Sequence, residues 1–209
     1  MPRSGEQTRQ RILDAAYKQF RRKGFTRVSM DDIAAATGVT KRTLYHHFTS
    51  KDALLGAVLD AQQELALAAF RTFGDQMAGS PEQMIAAMFE QLAVWSDEPR
   101  WAGSGFTRLV VELADLPGHP ARVVARRHKA LLERQLADLL ARAGIADATD
   151  AAREIWLLSE GAISSMLVHS DRRYAAAAGR AALTLLRARG LASASARRAA
   201  AKPPRARAR

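Results

Sequence analysis

The sequence predicts an all-α protein. Apolar residues recur every three or four positions along most of the 209 residues, which is the spacing of helices that bury one face. Glycine and proline are sparse within these periodic segments, and no run alternates apolar and polar residues as a half-buried strand does. We therefore expect helices throughout, with glycine and proline at their ends.

The first 50 residues predict three helices. The first is expected over about 8–23, with an inward face formed by Ile12, Ala15, Ala16 and Phe20. Ser29 can cap the second helix, and Asp32 stands three residues on, where a capping box usually has Glu or Gln. Gly38 can adopt the left-handed conformation that ends this helix. Thr40 can then cap a third helix over about 41–47.

Two short helices separated by a glycine turn are typical of a helix-turn-helix DNA reader. On the second of them, Leu44 points to one side and Arg42 to the other, where it could hydrogen-bond a guanine edge. Ser50 can cap a fourth helix, and Lys51 places a positive charge beside its first N–H groups, which suits a phosphate. A plain helical hairpin is the alternative, but the glycine turn, both caps and a basic outer face occur together.

These residues resemble the N-terminal domain of TetR-family transcriptional regulators over 8–55. The matching stretches are 8–16, 24–25, 29–34, 38–41, 44–48 and 50–54. The resemblance implies that the following residues face DNA: Thr40, Lys41, Arg42, Thr43, Tyr45, His46, His47 and Lys51. The cap residue Ser29 is a further candidate DNA contact. The resemblance also implies a helical remainder that dimerises and usually binds a small effector. The implied domains are 1–52 for DNA binding and 53–190 for effector binding and dimerisation, followed by a basic tail over 191–209.

The remaining helices are predicted from their ends. A long helix is expected over about 51–73, and Ser80 with Pro81 gives an N-cap and a first-turn proline for a helix over 81–95. Further helices are expected over 102–116 and 121–143, from Asp147 or Thr149 to residue 169, and over 172–189, where Gly190 ends the last. The tail consists mainly of Ala, Ser, Arg and Pro, and we expect it to be disordered.

The net charge of +11 is distributed unevenly. Residues 1–60 hold 11 basic and 6 acidic residues, 61–190 hold 15 of each, and 191–209 hold 6 basic residues and no acidic one. The excess thus lies on the predicted DNA reader and the tail, as expected for localised contact with a polyanion.

Composition also indicates the cellular compartment in which the protein is expected. The chain has no cysteine, which excludes disulfides and cysteine metal sites. Its first residues lack the apolar core of a signal peptide, and no apolar run approaches the roughly 18 residues of a membrane span. We expect a cytoplasmic protein with no membrane partner and no cofactor.

The last two predicted helices suit a dimer interface. The penultimate helix is apolar around much of its circumference and must be covered on more than one side. The final helix carries small residues at helical spacing, so two copies could pair as a four-helix bundle. Burial inside one subunit is the alternative, but paired readers on a two-fold axis favour a homodimer. The candidate interface consists of Ile163, Met166, Leu167, Tyr174, Ala178, Ala181, Ala182 and Leu185.

Large, flexible and aromatic side chains in the electrically neutral middle of the chain predict a pocket for a small lipophilic effector. We expect walls from about 81–95, 102–116, 121–143 and 150–169. The candidate contacts are Met88, Trp95, Phe106, Val110, His128, Trp156 and Glu160. Ordinary core is the alternative for each. Glu160, inside an apolar helix, needs a partner, for which we favour a neighbouring Arg over a ligand. His128 is more often a wall residue than a metal ligand.

The sequence therefore predicts a ligand-responsive transcriptional regulator. We expect a repressor that leaves a near-palindromic operator of double-stranded DNA when its effector binds. No His and acid spacing suits a metal, and no catalytic cluster can be assembled from the sequence, so we do not expect an enzyme. An architectural DNA-binding protein without an effector and an activator of the same family are the alternatives.

Overall fold

The structure is a computed structural model that describes residues 5–76 and 80–200, with side chains described over 5–72 and 80–189. The described residues form nine α-helices, and no strand occurs among them. The helices are α1 (Gly5–Lys23), α2 (Met30–Thr37), α3 (Lys41–His47), α4 (Lys51–Gln76), α5 (Pro81–Ser96), α6 (Gly105–Glu112), α7 (Pro120–Arg142), α8 (Ala148–His169) and α9 (Arg173–Ala200). The all-α prediction is confirmed.

The helices pack as two compact units. The first comprises Met1–Arg71 and Ala102–Ala130, and the second comprises Thr72–Trp101 and Leu131–Arg209. This division by packing differs from the domains predicted at 1–52 and 53–190. Those domains are defined by the partner that each would bind, and they remain predictions.

The first unit is built around one hydrophobic cluster. Residues of α1 to α4 share this cluster with residues of α6 and the first turns of α7. Its fully buried members include Ile12, Ile33, Leu44 and Leu54. Burial of such a side chain contributes about 1.5–3 kcal/mol, so the short helices α2 and α3 depend on their neighbours in this cluster for much of their stability.

The expectation that no apolar run approaches a membrane span is wrong for α4. Lys51–Thr72 is long and apolar enough to cross a membrane by length and composition. Buried core helices of soluble proteins pass the same test, so this is weak evidence of a span. Here Leu54, Leu55, Val58 and Leu59 belong to the buried cluster of the first unit, which accounts for the apolar composition at the start of the helix.

The second unit is formed mainly by α5, α8 and α9, which pack against one another. Ile85, Phe89 and Ile155 are buried there. A Cβ atom on Gly179 would lie 3.0 Å from the Cβ atom of Phe89. The glycine therefore allows α9 to approach α5 more closely than a residue with a side chain could.

Two predicted helices have wrong bounds. The structure has α6 over eight residues instead of 102–116: Ser104 caps its start by accepting from the Thr107 N–H, and Arg122 donates to the carbonyls of Leu113 and Ala114 just past its end. The last helix does not end at Gly190 but continues to Ala200, which contradicts the disorder expected over 191–200. A helical glycine costs only about 1 kcal/mol relative to alanine, and the alanine-rich stretch that follows favours helix. Residues 201–209 lie outside the described part of the chain.

Other predicted ends are confirmed. Gly144 has a φ of 78° just past α7, and the hydroxyl of Ser80 caps α5 in a full capping box. Asp147 directly precedes α8, as predicted, but its side chain makes no capping hydrogen bond.

Candidate nucleic-acid interface

The caps of α2 form as the sequence predicts. The Ser29 hydroxyl accepts from the Asp32 N–H at 3.1 Å, and the Asp32 carboxylate accepts from the Ser29 N–H at 2.9 Å. The hydrogen bond from the Ser29 N–H, followed by one that the Ser29 hydroxyl donates to the same carboxylate at 2.7 Å, lowers the pKa of the Asp32 carboxyl. At the other end, Gly38 has a φ of 67° and turns the chain toward α3. The capping box and the left-handed glycine are both confirmed.

The third helix is held in place from one side and presents the other to solvent. Thr40 caps it by accepting from the Thr43 N–H at 3.1 Å. Leu44 and Phe48 are buried, which fixes the rotation of the helix about its axis. The outer face therefore contains the exposed residues Lys41, Arg42, Tyr45 and His46, with Thr43 and His47 half-buried beside them.

Lys41 forms an ion pair within the protein itself, in the absence of DNA. Its Nζ atom lies 2.9 Å from a carboxylate oxygen of Asp31 on α2. The hydrogen bond to Asp31, together with the attraction between the two charges, raises the pKa of Lys41. The outer face of α3 thus contains one partly neutralised cation beside Arg42.

Lys51 points into its own unit. Its Nζ atom donates to the carbonyl oxygens of Phe25 at 3.1 Å and Thr26 at 3.5 Å, and it lies 4.3 Å from the centroid of the Phe25 ring. The ammonium group thus holds the loop between α1 and α2. The predicted phosphate contact of Lys51 remains a prediction, and it would have to use the remaining donor capacity of the ammonium group.

Glu112, which was not predicted from the sequence as a functional residue, holds the same loop from α6. Its carboxylate accepts from the Thr26 N–H at 2.7 Å, the Thr26 hydroxyl at 2.6 Å and the Phe25 N–H at 3.0 Å. One turn earlier on α6, Arg108 donates to the carbonyl oxygen of Arg21 at the end of α1. A Cβ atom on Gly24, whose φ is 85°, would lie 3.0 Å from the Glu112 carboxylate.

The charge of Glu112 is stabilised by these donors. Burial raises the pKa of this carboxyl, but the hydrogen bonds from Thr26 and Phe25 and the nearby Arg108 outweigh burial and lower it. A sequence signal for this role does exist. An acid in the last turn of a helix faces the negative end of the helix dipole, so Glu112 indicates a specific partner once the end of α6 is known.

The predicted effector contacts belong to both units. Phe106, Val110 and His128 are in the first unit, and the Phe106 and His128 rings stack with centroids 3.8 Å apart. Met88, Trp95, Trp156 and Glu160 are in the second unit and are half-buried. Glu160 is therefore not the fully buried acid that its apolar helix predicted. Over 5–76 and 80–200, no group of three His, Asp or Glu residues could hold a metal ion.

The predicted dimer residues fall into two groups. Met166 and Ala182 are only 2% and 0% exposed in the single chain, so they face the interior of the second unit, and their part in an interface remains a prediction. They lie on the sides of α8 and α9 that pack within the second unit. Of the others, Leu167, Tyr174 and Ala181 are exposed, and Ile163, Ala178 and Leu185 are half-buried.

The exposed apolar side of α8 was also missed in part. Leu157 is 71% exposed and Val168 is 75% exposed. With Gly161 and Ser164 they follow a spacing of four, three and four residues, which is one face of a helix. Periodicity alone did not distinguish this face from the buried one, because both contain apolar and small residues.

Comparison with known proteins supports a DNA-binding role for the N-terminal helices. A family model described as bacterial regulatory proteins of the tetR family matches residues 12–58. The transcriptional regulator UidR of Escherichia coli K12 is 39% identical over 100 residues, which cover 45% of this chain and 51% of UidR. The A-factor receptor protein of Streptomyces griseus is 35% identical over 115 residues, covering 54% of this chain and 39% of that protein. The chain thus spans about half the length of UidR.

The resemblance to a solved structure extends over almost the whole fold. A TetR transcriptional regulator from Streptomyces avermitilis is 30% identical, with a TM-score of 0.75, and the match covers 88% of this chain and 98% of that one. The fold over the matched part of the chain is therefore shared with that structure. The chain belongs to the TetR family of bacterial regulatory proteins.

Proposed function

We propose that the protein is a homodimeric repressor that binds a near-palindromic operator and leaves it when a small lipophilic effector binds. The observation that carries this proposal is the outer face of α3. Arg42, Tyr45 and His46 are exposed there, on a short helix whose rotation is fixed by buried Leu44 and Phe48. Such a helix can enter a major groove with the same side chains on each binding event.

Within this proposal, the DNA-facing residues have two kinds of role. Arg42 donates to a guanine edge, which is the commonest specific contact in the major groove. Phosphates are contacted by the surrounding polar and basic groups, which set the register without reading sequence. This second group consists of Ser29, Thr40, Lys41, Tyr45, His46, His47 and Lys51, whereas Thr43 can offer a hydroxyl or a methyl group beside Arg42.

The proposed dimer uses the exposed apolar side of α8 together with the start of α9. Leu157, Leu167, Val168 and Tyr174 are large apolar or aromatic side chains exposed in the single chain. A two-fold pairing would cover them and would bring two readers to half-sites about one helical turn of DNA apart. Ile163, Ala178, Ala181 and Leu185 would contribute at the edges of this face.

The proposed effector response rests on the composition of the helical part and on a relative. Met88, Trp95 and Trp156 are half-buried, soft or aromatic groups of the kind that line ligand pockets. The Streptomyces griseus relative is named a receptor for A-factor. An effector releases DNA only if it binds the released state more tightly than the bound state. We place this activity in the cytoplasm, with DNA and the effector as partners.

The experiment starts from selection of bound duplexes from a random pool by the full chain. A two-fold symmetric consensus is expected. Lipophilic compounds are then screened by thermal shift, where a ligand at 100 times its Kd adds about 2.7 kcal/mol of stability. Each hit is tested for release of the selected duplex, with Trp156→Ala as the pocket variant. Equal affinity for all duplex sequences would indicate an architectural protein. Compounds that bind but leave the affinity for the operator unchanged would refute the effector response.

A further inference from the structure

The first unit contains a cavity that the proposed effector pocket does not account for. It lies among α1, α4 and α6 and, Phe106 apart, contains none of the proposed effector contacts. Its apolar lining is Phe20, Phe25, Leu55, Val58, Leu59, Phe106 and Leu109, all of which are buried. Its polar lining includes Arg21, Arg108 and Glu112, which are half-buried.

The size of the cavity limits what can enter. Its volume is about 100 Å³ and it is partly open to solvent. An enclosed apolar cavity of about 150 Å³ holds a benzene molecule. The present cavity is smaller but partly open, so it admits at most one six-membered ring, with any polar substituent directed toward the half-buried polar residues of its lining. It is too small for a drug-sized effector, which needs roughly 300–1,000 Å³.

The charges around the cavity select the substituent. Two guanidinium groups line it, against one carboxylate, so the lining has an excess of positive charge. The carboxylate of Glu112 already accepts three hydrogen bonds from Thr26 and Phe25. A guanidinium has five N–H donors and binds a carboxylate in a bidentate manner. An anionic group on the ligand would therefore be attracted, and an ammonium group would meet two like charges.

We propose that this cavity binds a single-ring aromatic carboxylate, with the ring among Phe20, Leu55 and Leu109 and the carboxylate on Arg108. The proposal goes beyond the effector response above, because it assigns a second, smaller ligand site within the unit that contains the DNA reader. Arg108 also donates to the carbonyl oxygen of Arg21 at 3.0 Å, so the ligand would bind at a residue that already connects α6 to α1.

The test is isothermal titration of the full chain, without DNA, with benzoate and with its neutral analogue benzamide. Benzoate should bind with a Kd of about 1 mM or tighter. The affinity for benzamide should be lower by about tenfold or more, because benzamide cannot form a charge-assisted pair with a guanidinium. Arg108→Gln should lower the affinity for benzoate by a similar factor and leave the affinity for benzamide unchanged. Arg126→Gln removes the same charge from an exposed position on α7 and should leave both affinities unchanged.

A second variant fills the cavity and keeps both arginines. Val58→Phe should abolish binding of both compounds while helix content, measured by circular dichroism, is retained. No binding of benzoate, equal affinity for benzoate and benzamide, or unchanged affinity in Val58→Phe would each overturn the proposal. Because these titrations contain no operator, their failure is distinguishable from failure of the proposed effector response.

Discussion

Glu112 and Thr26 are connected by two short hydrogen bonds although they lie 86 residues apart. The Glu112 carboxylate accepts from the N–H and from the hydroxyl of Thr26 at 2.7 and 2.6 Å. Thr26 belongs to the loop that leads into α2, and Glu112 is the last residue of α6. One carboxylate thus holds the entry to the helix-turn-helix against a helix from much later in the chain.

Replacing Glu112 with Gln should lower the free energy of unfolding by about 1–2 kcal/mol at neutral pH. Hydrogen bonds to charged groups contribute roughly 1.5–3 kcal/mol, and solvent around this half-buried group reduces that amount. The folded pKa lies below the ordinary value of 4.5, so the stabilisation is present above about pH 4.5 and is lost as pH falls through the folded pKa. Urea denaturation should therefore show a difference between variant and wild type that shrinks at acidic pH.

The control for this measurement is Glu64→Gln, which changes an exposed acid on α4. Its effect should stay within about 0.5 kcal/mol at either pH. Equal losses from Glu112→Gln at neutral and acidic pH would show that the charge of Glu112 does not hold the loop.

Replacing Arg42 with Ala should weaken binding to the selected operator by about 1–3 kcal/mol and relax the preference at one base position in each half-site. The reason is that an exposed guanidinium on the outer face of α3 can read a guanine edge. Fluorescence anisotropy with selected and scrambled duplexes measures both effects. Arg126→Ala, which removes an exposed Arg from α7, serves as the control. An unchanged base preference in Arg42→Ala would assign base reading to another residue.

Replacing Lys51 with Met should weaken binding to every duplex and lower the free energy of unfolding by about 1 kcal/mol. Methionine keeps an apolar stem near the Phe25 ring but removes the donors to Phe25 and Thr26. Binding measured over a range of salt concentrations separates two roles. A salt slope lower by about one unit indicates a lost phosphate contact. An unchanged slope would leave Lys51 as a loop support alone, and Lys18→Met on exposed α1 surface is the control.

Replacing Leu157 and Val168 together with Glu should produce monomers that retain helix content and no longer bind the operator. Both side chains are exposed in the single chain, so the substitutions should not disturb the core, whereas charges in a paired apolar face are costly. Analytical ultracentrifugation gives the assembly state. Leu65→Glu, at another exposed apolar position, should leave assembly unchanged. A dimer that persists in the double variant would move the interface elsewhere.

Replacing Gly179 with Ala should lower the free energy of unfolding by about 1 kcal/mol. A new Cβ atom would lie 3.0 Å from the Phe89 Cβ atom, and overpacking costs about 1–3 kcal/mol. The better helix propensity of alanine offsets about 1 kcal/mol of that cost. Gly56→Ala is the matched control because no atom beyond its chain neighbours and its own helix backbone lies within 4 Å of the added Cβ, so thermal denaturation should show a gain in stability there. A gain in both variants would mean that α9 and α5 can separate slightly without penalty.

The sequence by itself determined the features that depend on neighbours a few residues away. Ser29 with Asp32, Gly38 and Thr40 with Thr43 form caps and a turn within four residues of each other, so their chemistry is readable locally. Helical periodicity likewise determined the all-α class and the inward positions of Leu44 and Phe48. Because these interactions join residues close together in the sequence, they leave a recognisable pattern within residues 8–55.

Only the tertiary structure decided which helix faces are covered and which distant groups meet. Met166 and Val168 stand two residues apart on one apolar helix, yet one is core and the other is exposed, because α5 and α9 cover a single side of α8. The partners of Lys51 and Glu112 lie 25 to 87 residues away, and no spacing rule connects positions so far apart. Burial and long-range hydrogen bonding depend on how helices pack, whereas capping and periodicity depend on the helix alone.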